Sequence, residues 1–284
     1  MSKFTAVFKA NLIPVLFLLG GCAALWDENP VEPPVPSPQN ASLQPKRIPG
    51  PDPGFGGPYP SLHFVIEGYS EFPQQVAEIS EKIYSEVMNK TALYSFKPQE
   101  NYRIVVYKNK EEFATKTGQP DWSGGLNTGR EVFSYEQAGL NMVLAHEITH
   151  LIFSEFLGDR TKEFRWLNEG LAMNIEILFH PTLTPDEQKR EWEEVLAKSP
   201  KFSMEEIIAF NPYKENPERV NVWYKTAASL TGYFLDKGGA FNFSLFLKAV
   251  RSGMRVDDAF KSVYSGKFGS AEELFTLWKG DVTR

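Results

Sequence analysis

One apolar stretch that carries two histidines and a glutamate constrains this chain more than any other feature. Residues 139–157 contain no proline and are apolar on nearly every side, which predicts a buried helix that ends at Gly158. Residues four apart share a face of a helix, so His146 and His150 can direct ring nitrogens at one ion. Glu147 lies beside the first histidine, within reach of a water on that ion. Burying these polar groups is costly unless such a partner is present.

Two histidines do not complete a catalytic zinc site, which usually takes three protein ligands and a water. The single cysteine, Cys22, lies far upstream, and His63 and His180 fall in a predicted strand and at a predicted helix end. Glu169 follows His150 after a gap of eighteen residues. That gap lets a second, antiparallel helix return a carboxylate to the ion, although an acid here also suits an exposed helix N-terminus.

The pattern as a whole resembles that of a known enzyme class. His-Glu-x-x-His, the eighteen-residue gap and Trp-Leu-Asn-Glu-Gly-x-Ala are similar to the motifs of the gluzincin zinc peptidases. The similarity is greatest to the aminopeptidase N-like branch and to small bacterial peptidase-MA-like proteins. It is close over His146–Met173, looser over Tyr102–Trp278, and does not extend to residues 1–60. It implies a zinc-dependent peptidase that hydrolyses polypeptide or peptide substrates.

The resemblance also assigns roles to individual side chains. It implies that His146, His150 and Glu169 bind one Zn²⁺ per chain and that Glu147 is the general base. Two family features are missing. The Gly-x-Met-Glu-Asn motif with which aminopeptidases hold a free amine is absent, and Met173 stands where thermolysin-like enzymes carry an acid, four positions after the third ligand. Asn174 and Glu176 are the two candidates to replace that acid. Exopeptidase activity therefore does not carry over, and the choice between endo- and exopeptidase stays open.

A second stabiliser of the transition-state oxyanion is needed besides the metal. In similar enzymes a tyrosine or histidine on a later helix has this role, and no histidine follows His180. Tyr224 lies 55 residues after Glu169, near the place where related families carry this residue, and Tyr233 is the alternative. Tyr224 also suits a helical core beside Trp223, because aromatic residues on helices commonly pack.

The remaining pattern predicts an α+β fold. Alternating apolar residues predict strands at 62–66 and 102–107, and apolar spacings of three and four predict a helix over 72–87. A short helix is expected at 111–116, and beyond residue 139 the pattern is helical to the C-terminus. We therefore expect a small N-terminal sheet with helices, then the zincin active-site helices and a helical C-terminal subdomain.

The glycine-rich segment 121–133 predicts a loop with an irregular strand. In folds similar to the gluzincins, the segment before the zinc helix forms an edge strand, and the substrate lies on it as an added strand. Residues 124–133 are the candidate for that role. Ser134 and Gln137 predict a capping box at the start of the zinc helix.

The first 22 residues resemble a bacterial lipoprotein signal. Two lysines precede an apolar stretch that is too short to span a membrane, and Leu-Gly-Gly-Cys at its end is similar to a lipobox. The resemblance implies a signal peptide over 1–21 and a lipid on Cys22, which would anchor the protein in a membrane. The alternative is an ordinary signal that is cleaved near Ala23 or Ala24.

A proline-rich segment separates the lipidated cysteine from the folded domain. Residues 23–60 hold 11 of the chain's 20 prolines, which predicts a semi-rigid spacer without packed elements. We therefore divide the chain into the signal peptide, a lipidated linker over 22–60 and a peptidase domain over 61–284. The predicted location is the bacterial cell envelope, on the outward-facing side of the cytoplasmic or outer membrane.

The charge balance excludes nucleic acid as a partner. The chain has 30 Lys and Arg residues against 36 Asp and Glu, a formal net charge of −6, and no basic block. The sequence thus predicts a lipid-anchored zinc metallopeptidase. The alternative is a binding or scaffold lipoprotein on a degenerate peptidase fold, which Glu147→Gln would distinguish from an enzyme.

Overall fold

A five-stranded sheet forms the N-terminal part of the folded chain in the computed structural model, which describes residues 58–68, 73–120, 123–198 and 201–282. The signal peptide and nearly all of the spacer predicted above lie outside the described residues. The strands are β1 (Tyr59–Pro60), β2 (Phe64–Gly68), β3 (Tyr102–Tyr107), β4 (Gly125–Asn127) and β5 (Glu131–Tyr135). Their order in the sheet is β1-β2-β3-β5-β4, with β2, β3 and β5 parallel and the two outer strands antiparallel to their neighbours.

Ten α-helices accompany the sheet among the described residues, and most of them follow it in the chain. They are α1 (Pro73–Thr91), α2 (Lys110–Thr117), α3 (Leu140–Leu157), α4 (Arg165–Glu176), α5 (Pro185–Lys198), α6 (Met204–Ala209), α7 (Pro217–Gly238), α8 (Ala240–Arg251), α9 (Val256–Tyr264) and α10 (Ala271–Val282). Short 3₁₀ segments lie at Gly158–Phe164, Ile177–Phe179 and Pro212–Lys214. This arrangement confirms the predicted α+β fold. Within the described ranges no helix is both long and apolar enough to cross a membrane.

Strand β3 is buried on both faces, which is why its sequence is apolar almost throughout. Ile104 and Val106 face the main core with α1 and α3, whereas Val105 and Tyr107 face a smaller cluster that includes Phe113 of α2. Successive side chains of a strand point to opposite faces, so this one strand joins the two cores. The sheet is therefore covered by helices on both sides.

The start of the zinc helix differs from the prediction. Helix α3 begins after Gly139 and has no side-chain cap, so the predicted capping box is wrong. Ser134 instead lies in β5, and its hydroxyl donates a hydrogen bond to the carbonyl oxygen of Gly124 at 2.8 Å. The amide of Gln137 donates to the same oxygen at 3.0 Å. Both side chains therefore hold the strand before the helix rather than the helix itself.

Helices α3 and α4 form a hairpin that spans the eighteen-residue gap. Gly158 ends α3 with φ at 58°, a left-handed value that glycine adopts readily, and its N–H donates to the carbonyl of Ser154. The 3₁₀ segment that follows turns the chain back into α4. Helix α7 then crosses α4 closely at Gly170, where an added Cβ would lie 2.3 Å from the carbonyl oxygen of Ala227.

Candidate metal centre

The α3–α4 hairpin brings the three predicted metal ligands together. Nε2 of His146 lies 3.5 Å from Oε2 of Glu169, and Nε2 of His150 lies 3.4 Å from the same oxygen. One ligand atom from each side chain lies within 4.8 Å of the other two. A tetrahedral zinc ion with bonds of about 2 Å separates its ligand atoms by about 3.3 Å, so the spacing suits that metal.

A buried carboxylate oxygen of this site lacks a hydrogen-bond partner, and a bound cation would provide one interaction for it. Glu169 and His150 are buried, at 4% and 1% exposure, and His146 is half-buried. Oε2 of Glu169 has no hydrogen-bond donor at bonding distance among the described residues. A buried carboxylate oxygen in this state costs free energy, and a cation between it and the imidazoles offsets that cost.

The outer nitrogens of both imidazoles are held by residues of α4. Nδ1 of His146 lies 2.9 Å from Oε2 of Glu176, and Nδ1 of His150 lies 2.9 Å from Oδ1 of Asn168. These oxygens are acceptors, so each ring carries its proton on Nδ1 and leaves the lone pair of Nε2 for a metal. The two ligand histidines are therefore fixed in the tautomer that binds an ion.

Of these supporting residues, the sequence offered Glu176 as one of two candidates for the missing acid and gave no role to Asn168. Asn168 belongs to the Trp-Leu-Asn-Glu-Gly-x-Ala motif, but the sequence assigned it no role. The one sequence feature that could have indicated its role is its position directly before Glu169, where it is polar. Glu176 takes the place of the acid that is missing at Met173. Asn174, another candidate for that place, instead donates hydrogen bonds to the carbonyls of Gly170 and Ala228, and so joins α4 to α7.

Positive charge next to Glu169 favours its carboxylate form. Burial by itself raises the pKa of the Glu169 carboxyl, but His150 and His146, when protonated, lower the pKa by more, to well below its usual range. A carboxylate that keeps its charge in a buried place is the form that ligates a cation.

The side chain of Glu147 extends from helix α3 toward strand β4. Its side chain is buried and packs on the backbone of Gly125, where an added Cβ would come within 3.2 Å of Glu147 Cγ and 3.3 Å of Oε1. The amide of Asn127 donates to the main-chain carbonyl of Glu147 at 3.0 Å. The predicted general base thus packs against a strand in the segment that the sequence predicted as the irregular edge strand for the substrate.

The two candidate oxyanion residues lie on opposite sides of α7. Tyr224 is buried in the main core. It precedes Ala227 by about one helical turn and Thr231 by about two, so it lies on the same side of α7 as these residues, which both contact Gly170 of α4. Tyr233 follows Tyr224 by nine residues, or about two and a half helical turns, so the two tyrosines lie on opposite faces of α7. The cation of Lys237 lies 5.5 Å from the centre of its ring. Burial, followed by the charge of Asp281 and a hydrogen bond to it, raises the pKa of the Tyr233 hydroxyl.

The other two histidines have structural partners away from this centre. Nδ1 of His63 lies 2.7 Å from Oε2 of Glu81, and the His63 ring stacks on Tyr84. Nδ1 of His180 accepts hydrogen bonds from the backbone N–H groups of Thr182 and Leu183. Cys22, the predicted lipidation site, lies outside the described residues.

The comparisons with known proteins agree with this geometry. The family model described as the Peptidase MA superfamily matches residues 86–283. The match includes α3, α4 and α7 and lies within the predicted domain over 61–284. No curated protein matches the chain in sequence.

Proposed function

The chain belongs to the Peptidase MA superfamily, and on that basis we propose that it is a zinc-dependent peptidase of the gluzincin type. The observation that carries the proposal is the position of Glu169 Oε2, 3.5 and 3.4 Å from the two histidine Nε2 atoms. Two imidazole nitrogens and one carboxylate oxygen, with their outer shell in place, are the donor set of a catalytic rather than a structural zinc site. His146, His150 and Glu169 would hold one ion.

Zinc in such a site supplies a Lewis acid, which polarises the scissile carbonyl and lowers the pKa of water. Glu147 accepts a proton from the attacking water as its oxygen bonds to the carbonyl carbon. The same carboxyl then donates that proton to the leaving amine as the carbon–nitrogen bond breaks. The contact with Gly125 supports this role, because it holds the Glu147 carboxylate beside the strand that precedes the zinc helix.

Tyr224 is the proposed second stabiliser of the oxyanion. Its place on the α4-facing side of α7, one turn from the contact with Gly170, keeps it near the segment that carries Glu169. Tyr233 is the weaker candidate, since it points away from α4 and its hydroxyl interacts with Asp281. A phenol O–H that donates to the developing negative charge would act together with the metal.

The proposed substrate is an extended polypeptide that pairs with β4. This strand is antiparallel to β5 and ends the sheet in the described part of the chain, next to Glu147. Its three residues are buried, so pairing requires this edge to become accessible. Proline substitutions along β4 are expected to abolish cleavage, and unchanged cleavage would remove the strand from the mechanism.

The lipobox-like sequence supports a location at the cell envelope. We propose that Cys22 carries the lipid and that the proline-rich spacer holds the peptidase domain away from a bacterial cytoplasmic or outer membrane, facing the periplasm or the exterior. Metabolic labelling with a radioactive fatty acid tests this directly. Label that is present in the wild type and lost in Cys22→Ser is expected, and equal labelling of both would contradict it.

Zinc content tests the enzyme itself. The full-length protein, purified without added metal or chelator, is expected to contain one zinc per chain, which Glu169→Ala loses and Glu147→Gln keeps. Glu147→Gln is further expected to abolish cleavage of peptides. If every cellular effect of the protein survives Glu147→Gln, the scaffold lipoprotein is the better description.

A further inference from the structure

Strand β4 approaches the zinc helix more closely than a side chain on the strand would allow. A Cβ added at Gly125 would lie 2.7 Å from Cγ1 of Val143, 3.2 Å from Cγ of Glu147 and 3.3 Å from its Oε1. The backbone does not itself require glycine here, because Gly125 is not among the glycines with positive φ. Glycine is therefore required here for space, and the side chains of Val143 and Glu147 occupy the space that it leaves.

Asn127 makes a second contact with the same residue. It lies two positions further along β4, on the same face of the strand as Gly125. Its amide nitrogen donates to the main-chain carbonyl of Glu147 at 3.0 Å, while its amide oxygen accepts from the N–H of Gly129 at 2.6 Å. Asn127 is 1% exposed and both ends of its amide are used. The strand thus contacts both the side chain and the main chain of Glu147.

The strand is in turn fixed to its surroundings by side chains. The carbonyl of Gly124 accepts hydrogen bonds from Ser134 and Gln137, and the carbonyl of Gly125 accepts one from the hydroxyl of Ser123 at 2.8 Å. The two bonds to Gly124 join the start of β4 to β5 and to the segment just before α3, and the bond from Ser123 fixes the local backbone. A contact with a fixed strand restrains Glu147 more than a contact with a mobile loop would.

We propose that Gly125 and Asn127 are positioning residues that set the place of the Glu147 carboxylate. The inference rests on the proposed function, in which that carboxylate moves the proton. Asn127 fixes the turn of α3 that bears Glu147, and Gly125 leaves the slot into which its side chain packs. A methyl group in that slot requires the Glu147 side chain to shift by a few tenths of an ångström. A misplacement of about 1 Å lowers a rate by about 100-fold, so a smaller shift is expected to have a smaller but measurable effect.

A set of four variants separates this role from simple packing. Gly125→Ala places a Cβ too close to both Val143 and Glu147. The double variant Gly125→Ala with Val143→Ala removes the close approach to Val143 and keeps the one to Glu147. Val143→Ala alone is the reference for the lost methyl groups. Gly139→Ala is the matched control, since a Cβ at Gly139 meets no atom within 4 Å.

Crystal structures of the zinc-loaded variants give the first readout, and steady-state cleavage of a library of internally quenched peptides gives the second. We expect the double variant to have the zinc content of the wild type and the same thermal stability as the Val143→Ala reference. We also expect a Glu147 carboxylate displaced from its wild-type place and kcat lowered at least about 10-fold with KM little changed. Asn127→Ala is expected to lower kcat in the same way.

The proposal is overturned if the double variant keeps the Glu147 carboxylate in its wild-type place, or if the carboxylate moves and kcat equals that of Val143→Ala. A wild-type protein that binds no zinc and cleaves no peptide would count against the proposed function instead. The displacement of Glu147 can still be measured in that case, so the two failures are distinguishable.

Discussion

Nδ1 of His146 lies 2.9 Å from Oε2 of Glu176, a carboxylate seven residues beyond the proposed ligand Glu169 on α4. One helix therefore supplies both a proposed metal ligand and the group that orients a second proposed ligand from the facing helix. Residues seven apart complete nearly two turns, so Glu169 and Glu176 lie on the same side of α4.

Glu176→Ala is expected to lower zinc affinity by about 10- to 100-fold, because the imidazole of His146 loses the acceptor that fixes its ring and tautomer. Glu176→Gln keeps an acceptor without the charge and should fall between Glu176→Ala and the wild type. Competition with a chromophoric chelator measures the affinities. Glu194→Gln, at an exposed acid of α5, is the control, and equal affinities for all these proteins would refute the role of Glu176.

Asn168 offers a matched pair of substitutions at the second histidine. Asn168→Ala removes the acceptor 2.9 Å from Nδ1 of His150 and is expected to weaken zinc binding about 10-fold or more. Asn168→Asp keeps an acceptor at that place and should retain most of the affinity. The same chelator competition compares them, and an Asp variant as weak as the Ala variant would show that packing, rather than the hydrogen bond, matters here.

Gly170 should be intolerant of even a methyl group. An added Cβ would lie 2.1 Å from Oγ1 of Thr231 and 2.3 Å from the carbonyl oxygen of Ala227, and a backbone carbonyl cannot move aside on its own. Gly170→Ala is expected to lower the free energy of unfolding by about 1–3 kcal/mol and to lower zinc content, because α4 is displaced. Urea denaturation measures the first effect.

Gly280→Ala is the control for that substitution, because a Cβ at this position of α10 meets no atom within 4 Å. Alanine is the better helix former, so Gly280→Ala should raise the free energy of unfolding by up to about 1 kcal/mol. Adding Thr231→Ala to Gly170→Ala should restore little, since the clash with the Ala227 carbonyl remains. Full restoration would contradict the packing described here.

The pH dependence of stability should carry a contribution from Glu81. Burial raises the pKa of this carboxyl, but hydrogen bonds from His63 and Ser61 lower it by more, so the folded pKa lies below the ordinary value. Such a group stabilises the fold above its unfolded pKa, and the contribution is lost as pH falls through the folded pKa.

We therefore expect Glu81→Gln to destabilise the metal-free protein by about 0.5 kcal/mol at pH 7, a modest value because the side chain is partly exposed. The difference from wild type should disappear as the pH falls through the folded pKa of Glu81. Urea denaturation at several pH values measures it, with Glu78→Gln, at an exposed acid of the same helix, as the control. A difference that grows as the pH falls would show that the sign is wrong.

Tyr224→Phe and Tyr233→Phe distinguish the two oxyanion candidates. Removal of the Tyr224 hydroxyl is expected to lower kcat by about 100- to 1000-fold with zinc content unchanged, as for other lost oxyanion donors. Tyr233→Phe should leave kcat near that of the wild type. Cleavage of internally quenched peptides measures both, and a loss confined to Tyr233→Phe would reverse the assignment.

The proximity of His146, His150 and Glu169 was predictable because the information for it is local. The spacing of His146 and His150 is a property of any helix, and Glu169 lies on the next one. Strand β3 was predicted to the residue, since β-branched and aromatic residues fill both of its faces. The roles of Asn168 and Glu176 depend on how α4 faces α3, which a spacing pattern does not contain.

Strand β4 was harder to predict for a physical reason. It has three residues, and one of them is a glycine, so it shows no alternation of apolar and polar positions. Its partners are also distant in sequence. Ser134 and Gln137 look like a capping box because their spacing is right, but both bind the carbonyl of Gly124, ten and thirteen residues upstream. Tertiary hydrogen bonds outweighed the local motif there.

All three proposed metal ligands belong to the single helical hairpin of α3 and α4, whereas the main core extends from β2 to α10. An ion bound there closes only a short loop of chain, so it removes little conformational entropy from the unfolded protein. We expect the apoprotein to remain folded and to take up zinc again after the metal has been stripped. Loss of metal would then switch the proposed peptidase off reversibly, while the chain keeps its fold.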